Sequence, residues 1–197
     1  LSSQTTLGNL PVTPVGLTNT GNFPVEVPTK ATFRACTLVP LIAAVTADRA
    51  IWTLVGSATK TIIVKRIRIS GVTLATTAGY LALNLVKNST ATTGGTSTTL
   101  VSVPLDTNTS AATAVVKAYT AVPTDGVLIG TINTSRTYAP ITGTPTSISP
   151  DIIFNFGDED GSSGIVLRDA TQEIALRFPV AAGTVPTLSI MVEWTEE

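Results

Sequence analysis

The side chains that carry most enzyme chemistry are scarce in this chain. It has no histidine and one cysteine, Cys36, and it sets 13 Asp and Glu against 12 Lys and Arg. Without histidine the commonest general base and metal ligand is missing. Serine triads and histidine-type zinc centres are thereby excluded, and one cysteine cannot build a cysteine-based one. Cys36 has no imidazole to generate its thiolate and no partner for an internal disulfide. With Phe33 and Leu38 nearby, it is expected to behave as a small buried hydrophobe. Glycoside hydrolysis needs two carboxyl groups across one cleft. Several acids fall in turns or, like Glu193, Glu196 and Glu197, at an end expected to be exposed, so no such pair is indicated. The expectation is a chain with no catalytic residue and no cofactor.

The densest acidic run is Asp158-Glu159-Asp160-Gly161. Its carboxylates could ligate Ca²⁺, with Asp158 and Asp160 as the candidate ligands, but the alternating acids and distal Glu of an EF-hand loop are missing. A solvated hairpin turn, with Gly157, Gly161 and Gly164 supplying positive φ, is the preferred reading. The only basic cluster is Lys65-Arg66-Ile67-Arg68. On a strand it places Lys65 and Ile67 on one face and Arg66 and Arg68 on the other. So small a patch neutralises too few phosphates for a nucleic-acid binder and suits a solvated sheet face or subunit contact. Asn-x-Ser/Thr triplets at Asn88, Asn108 and Asn133 are expected by chance in a chain this rich in Ser and Thr. Trp52, Trp194, Tyr80, Tyr119 and Tyr138 could form a sugar-stacking surface, but scattered singly they read as core or interface residues.

The elements that must position these residues are strands. Asp151-Ile-Ile-Phe-Asn-Phe156, Gly164-Ile-Val-Leu-Arg-Asp169, Gln172-Glu-Ile-Ala-Leu-Arg-Phe178 and Thr187-Leu-Ser-Ile-Met-Val-Glu-Trp194 each show two-residue alternation or β-branched content between turn residues. Further strands are expected over 31–39, 50–56, 60–70, 79–87, 98–104, 113–121 and 127–133. Turn chemistry at 56–59, 92–96, 123–126 and 157–161 separates them. Over 106–119 a helical turn capped by Asp106 or Ser110 is expected to enter a strand. Strands about ten residues apart, in a chain long enough for one good core, predict an all-β, single-domain sandwich or jelly roll over 31–197.

Residues 1–30 differ. Four prolines and three glycines break any regular element, while Leu10, Val12, Val15, Leu17, Phe23, Val25 and Val27 stay apolar. A disordered linker would be more polar. The segment reads as an extended Pro-rich arm laid against its own body or a neighbouring subunit, and those seven residues are the candidate partner-binding positions. The first residues have neither the basic nor the apolar region of a signal peptide. No apolar run reaches the roughly 18 residues of a membrane span.

The surface is nearly neutral: net charge is -1 and charged residues make up 13% of the chain, against about 25% ordinarily. Threonine fills much of the gap, at roughly 18% of the chain. It favours strands and offers a hydroxyl without charge. A net charge near zero favours association, so the composition points to a protein built to assemble.

Phe154-Asn-Phe-Gly157, Gly164-Ile-Val-Leu-Arg168 and Gln172-Glu-Ile-Ala-Leu176, with Val103-Pro-Leu-Asp106 running into 111–120, resemble small jelly-roll proteins of tailed-bacteriophage particles. The likeness covers residues 31–197 and consists of β patterns rather than catalytic signatures. It implies a virion structural protein of the head decoration or cement type on the outer capsid surface. Its partners would be the major capsid protein and copies of itself, commonly a trimer, with the arm docked on the shell or a neighbour. The acidic turn at 158–160 departs from the pattern, and the arm has no counterpart in it. The alternatives are a receptor- or glycan-binding module of a tail fibre or spike and, against the missing histidine, an enzyme acting on a cell-surface polymer.

Overall fold

In a computed structural model of the chain, described over residues 30–40, 48–73, 79–139, 151–157, 164–179 and 187–197, the fold is an all-β sandwich. The arm, with all seven of its candidate residues, lies outside the described residues. So do Asp158 and Asp160. The described strands are β1 (Ala31–Pro40), β2 (Ala50–Val55), β3 (Ile62–Thr73), β4 (Gly79–Asn88), β5 (Ser97–Thr99), β6 (Val103–Pro104), β7 (Val115–Tyr119), β8 (Leu128–Ala139), β9 (Ile152–Asn155), β10 (Ile165–Leu167), β11 (Glu173–Arg177) and β12 (Thr187–Glu196).

The pairing is nested. β4 pairs β8, β3 pairs both β9 and β10, β2 pairs β11, and β1 pairs β12, all antiparallel. The chain thus behaves as one long hairpin rolled over on itself, so that successive pairs alternate between two sheets. One sheet runs β10-β3-β12-β1-β6, with β9 also on β3, and the other runs β5-β7-β2-β11-β4-β8. This is a jelly-roll arrangement, with β5, β6 and β7 added to it.

The expected strand over 98–104 resolves into two. β5 pairs β7 in one sheet and β6 pairs β1 in the other, so the chain crosses between sheets in the intervening residues. The helical turn expected over 106–119 is absent. Asp106 instead closes a turn, its Oδ1 accepting from the N–H of Asn108 at 3.0 Å and its carbonyl from that of Thr109 at 3.1 Å. The chain then goes straight into β7, because β-branched Val115 and Val116 gain more from the sheet than from a helical turn. Gly157 and Gly164 have φ of 100° and 76°, as the turn chemistry requires.

One core fills the space between the sheets. Phe33, Ile67, Ile69, Ile190, Val192 and Trp194 from one sheet meet Trp52, Leu54, Leu83, Leu85, Val116, Ile174 and Leu176 from the other. Phe33 and Trp194 face each other in register, their rings stacked with centroids 5.8 Å apart. Each large buried side chain contributes about 1.5–3 kcal/mol. Among the described residues no helix is long and apolar enough to cross a membrane.

Candidate partner-binding face

The two sheets treat their outer faces differently. In the second sheet, β2 and β11 are buried on both faces. Residues 89–93 and 124–127 lie across it, tied by Thr93 and Thr124 bonding each other and by Ser89 donating to the Val127 carbonyl. The approach is so close that a Cβ on Gly126 would meet the Thr90 carbonyl oxygen at 1.8 Å. Only glycine fits there.

Beneath this cover sits a polar network. The Glu173 carboxylate accepts from Asn88 Nδ2 at 2.6 Å, Thr92 Oγ1 at 2.5 Å and the Thr92 N–H at 2.9 Å. Asn88 Oδ1 in turn accepts from Arg177 Nη2 at 3.1 Å. Arg177 Nη1 also lies 4.0 Å from Asp125, whose Oδ1 accepts the Ala50 N–H at 2.9 Å. The Tyr119 hydroxyl borders the network, and burial pushes its pKa up. Buried charges persist when paired and hydrogen-bonded, and these acids spend their acceptors on holding the cover down.

Glu196 behaves in the same way, which corrects its expected place at an exposed end. It is buried and accepts from Trp194 Nε1, from Thr113 Oγ1 and from the N–H groups of Thr113 and Ala114. Burial raises its pKa, but the Ala114, Thr113 and Trp194 donors outweigh burial and hold the carboxyl below its ordinary range. β12 runs to Glu196, so the last residues belong to the sheet.

On the outer face of the first sheet Asn155, Ile153, Arg68, Cys36 and Leu38 are exposed. Register sets its rows: Asn155, Arg66, Glu193, Arg34 and Val103 lie side by side across five strands. Next come Ile153, Arg68, Met191 and Cys36, then Ser70, Ser189 and Leu38. Arg34 bonds Glu193 at 2.6 Å, Arg66 Nε donates to Asn155 Oδ1 at 3.1 Å, and Arg68 makes two bonds to Asp151. An open concavity of about 480 Å³ lies between Arg66, Arg68, Asp151, Ile153, Asn155 and Met191. At the β1–β6 corner Leu38, Val101, Val103 and Leu105 are exposed.

Cys36 belongs to this face and is exposed, contrary to the expectation of burial. Phe33 and Ala35 take the inward positions of β1 against Trp194 and Val192, so alternation turns Cys36 outward. Arg66 and Arg68 face out and Ile67 is buried, as alternation predicts. Of the three Asn-x-Ser/Thr positions, Asn88 is buried inside the Glu173 network, whereas Asn108 and Asn133 are exposed. Trp52, Trp194 and Tyr119 are core residues and Tyr80 is exposed.

The network around Glu173 was not singled out from the sequence, whereas Arg66 and Arg68 were expected on a solvated sheet face or subunit contact and lie on the outer face of the first sheet. The signal for the network was present in Glu173 and Arg177, two charges on one side of an otherwise apolar strand. The signal for the apolar corner was the alternation of Val101, Val103 and Leu105. Among the described residues no group of three or more acids or cysteines is placed to hold a metal ion. Set against sequence profiles of protein families, curated proteins and solved structures, the chain matches none of them.

Proposed function

We propose that the chain is a structural protein of a tailed-bacteriophage particle, a decoration or cement protein that binds the outer surface of the head and stabilises the shell. One observation carries the reading: the two outer faces are unequal. Over β2 and β11 one is covered by the chain's own loops, and the other presents three arginines, two carboxylates and an apolar corner. Arginine beside apolar side chains is the composition of protein interfaces. A nearly neutral, Thr-rich surface loses little on desolvation when a second surface covers it. The resemblance of residues 31–197 to small virion jelly rolls points the same way.

In this reading the outer face of the first sheet and the arm meet the major capsid protein, and copies of the chain associate with each other, a trimer being favoured. The test is binding to mature heads that lack the protein. Full-length protein should occupy them, and the double charge reversal Arg34→Glu/Arg68→Glu should lower occupancy without unfolding the sandwich. Wild-type protein that leaves heads unoccupied, or immunogold labelling confined to tails, would sink the proposal. Light scattering that found only monomer would count against self-association.

A second reading, a glycan-binding module of a tail fibre or spike, draws on Tyr80. Its side chain is 80% exposed on β4, opposite Tyr138 of the edge strand β8. A glycan array separates the two, since a cement protein should bind no sugar.

A further inference from the structure

We propose that β8 is a docking edge for a second copy of this chain, the two β8 strands pairing antiparallel across a two-fold axis so that both second sheets run on as one. β8 ends the second sheet: among the described residues it has a neighbour, β4, on one side only. The strands that end the sheet orders elsewhere are short, with three residues in β5, three in β10 and two in β6. β8 has twelve. An edge strand offers a row of unpaired N–H and C=O groups, and most proteins shorten or charge such edges.

β8 carries little that would keep another strand away. It contains no proline and one charge, Arg136. Ile129, Thr131, Ile132, Thr134 and Thr137 are β-branched, and such residues favour strands. Ile129 and Ile132 have no partner on β4 and bulge, which bends the start of the strand. Over residues 133–139 the register against β4 is unbroken. At about 3.4 Å per residue that run is a regular edge of roughly 24 Å. Where the strand begins, Val127, Leu128 and Ile129 are consecutive and 63%, 48% and 59% exposed. Three large apolar side chains exposed in a row mark a surface that something covers.

A copy of the same strand is the occupant that the charges favour. An antiparallel edge is self-complementary, since a two-fold axis sets donors against acceptors in both directions. Arg136 is the strand's one charge, so a second β8 brings no row of opposed like charges. The nearly neutral surface favours association as well. Threonine hydroxyls can bond one another across paired strands, and a polar strand accepts more than one register. The inference deepens the self-association proposed above and rests on that part of the reading alone. Trimers can themselves be joined in pairs through the same edge.

Light scattering of the full chain should find a dimer, or trimers joined in pairs, and a monomer or a lone trimer would overturn the proposal. Thr131 and Thr134 are exposed on β8. The double variant Thr131→Lys/Thr134→Lys should weaken the association about tenfold by setting like charges along the shared edge. The control, Thr107→Lys/Ser110→Lys, adds the same charge at two exposed positions before β7 and should leave it unchanged. Equal weakening by both, or by neither, would overturn the edge contact. A second measurement needs no variant. Alternate amides of residues 133–139 should exchange about tenfold more slowly where about nine-tenths of the chains are paired than in dilute solution. Exchange that does not change with concentration would also overturn the proposal. Binding to heads keeps the two readings apart. Protein that fills heads but stays monomeric sinks the edge contact alone, and protein that pairs through β8 but leaves heads bare sinks the cement reading alone.

Discussion

Glu173 and Arg177 lie on the same face of β11, both buried, and are joined through Asn88 on the neighbouring strand. Asn88 Nδ2 donates to the Glu173 carboxylate at 2.6 Å, and its Oδ1 accepts from the Arg177 guanidinium at 3.1 Å. One amide therefore bridges an acid and a base, and the loops that cover β11 close over all three. Replacing Asn88 with Ala leaves a carboxylate and a guanidinium each short of a partner. Stability should fall by about 3 kcal/mol, measured by urea unfolding. Asn88→Asp should be worse at neutral pH than at pH 4, since it sets a second carboxylate against Glu173. A loss below about 1 kcal/mol for Asn88→Ala would show that water replaces the amide.

Glu196→Gln should cost about 2 kcal/mol at pH 7, because the carboxylate's donors lose a charged acceptor. The folded carboxyl titrates below its usual range, whereas in the unfolded chain it titrates near about 4.3. The contribution is therefore complete above the unfolded value and is lost as pH falls through the lower folded value. Wild type and Glu196→Gln should converge in stability as pH drops towards 3. A gap that stays constant with pH would mean the site does not discriminate charge.

Gly126→Ala should destabilise by about 2 kcal/mol or more, since the new methyl would run into the Thr90 carbonyl and lift the cover from β11. Hydrogen exchange at Glu173 and Ala175 should speed up selectively. Gly130→Ala is the control: nothing lies within 4 Å of its would-be Cβ.

Cys36 and Ala35 are neighbours with opposite fates. Cys36→Asp should leave the fold intact with a change of no more than about 1 kcal/mol, whereas Ala35→Asp should prevent folding by burying an unpaired charge. Circular dichroism and denaturant unfolding of the pair check which way β1 faces.

The strands were legible because alternation and turn residues are local. Residues 31–39 became Ala31–Pro40, and 187–194 became Thr187–Glu196, within a few positions. The break within 98–104 was hidden, because nothing local says that Thr99 will pair with Lys117 while Val103 pairs with Arg34. Cys36 was misplaced because its apolar neighbours along the chain suggested burial, whereas its face is set by Phe33 meeting Trp194 across two strands. Glu196 was expected at an exposed end, because nothing local says that Thr113 and Ala114 will donate to its carboxylate.

The sequence by itself determined that the protein is all-β, that turn residues punctuate its strands, and that its surface carries few charges and no histidine. These properties live in residue type and in spacing of a few positions. Only the tertiary structure decided which face of each strand is wet. That depends on partners far away in the chain, such as Gly126 closing over Thr90 or Glu196 reaching Thr113. It is why loops cover β2 and β11 in one sheet while Arg68, Cys36 and Leu38 are exposed on the other.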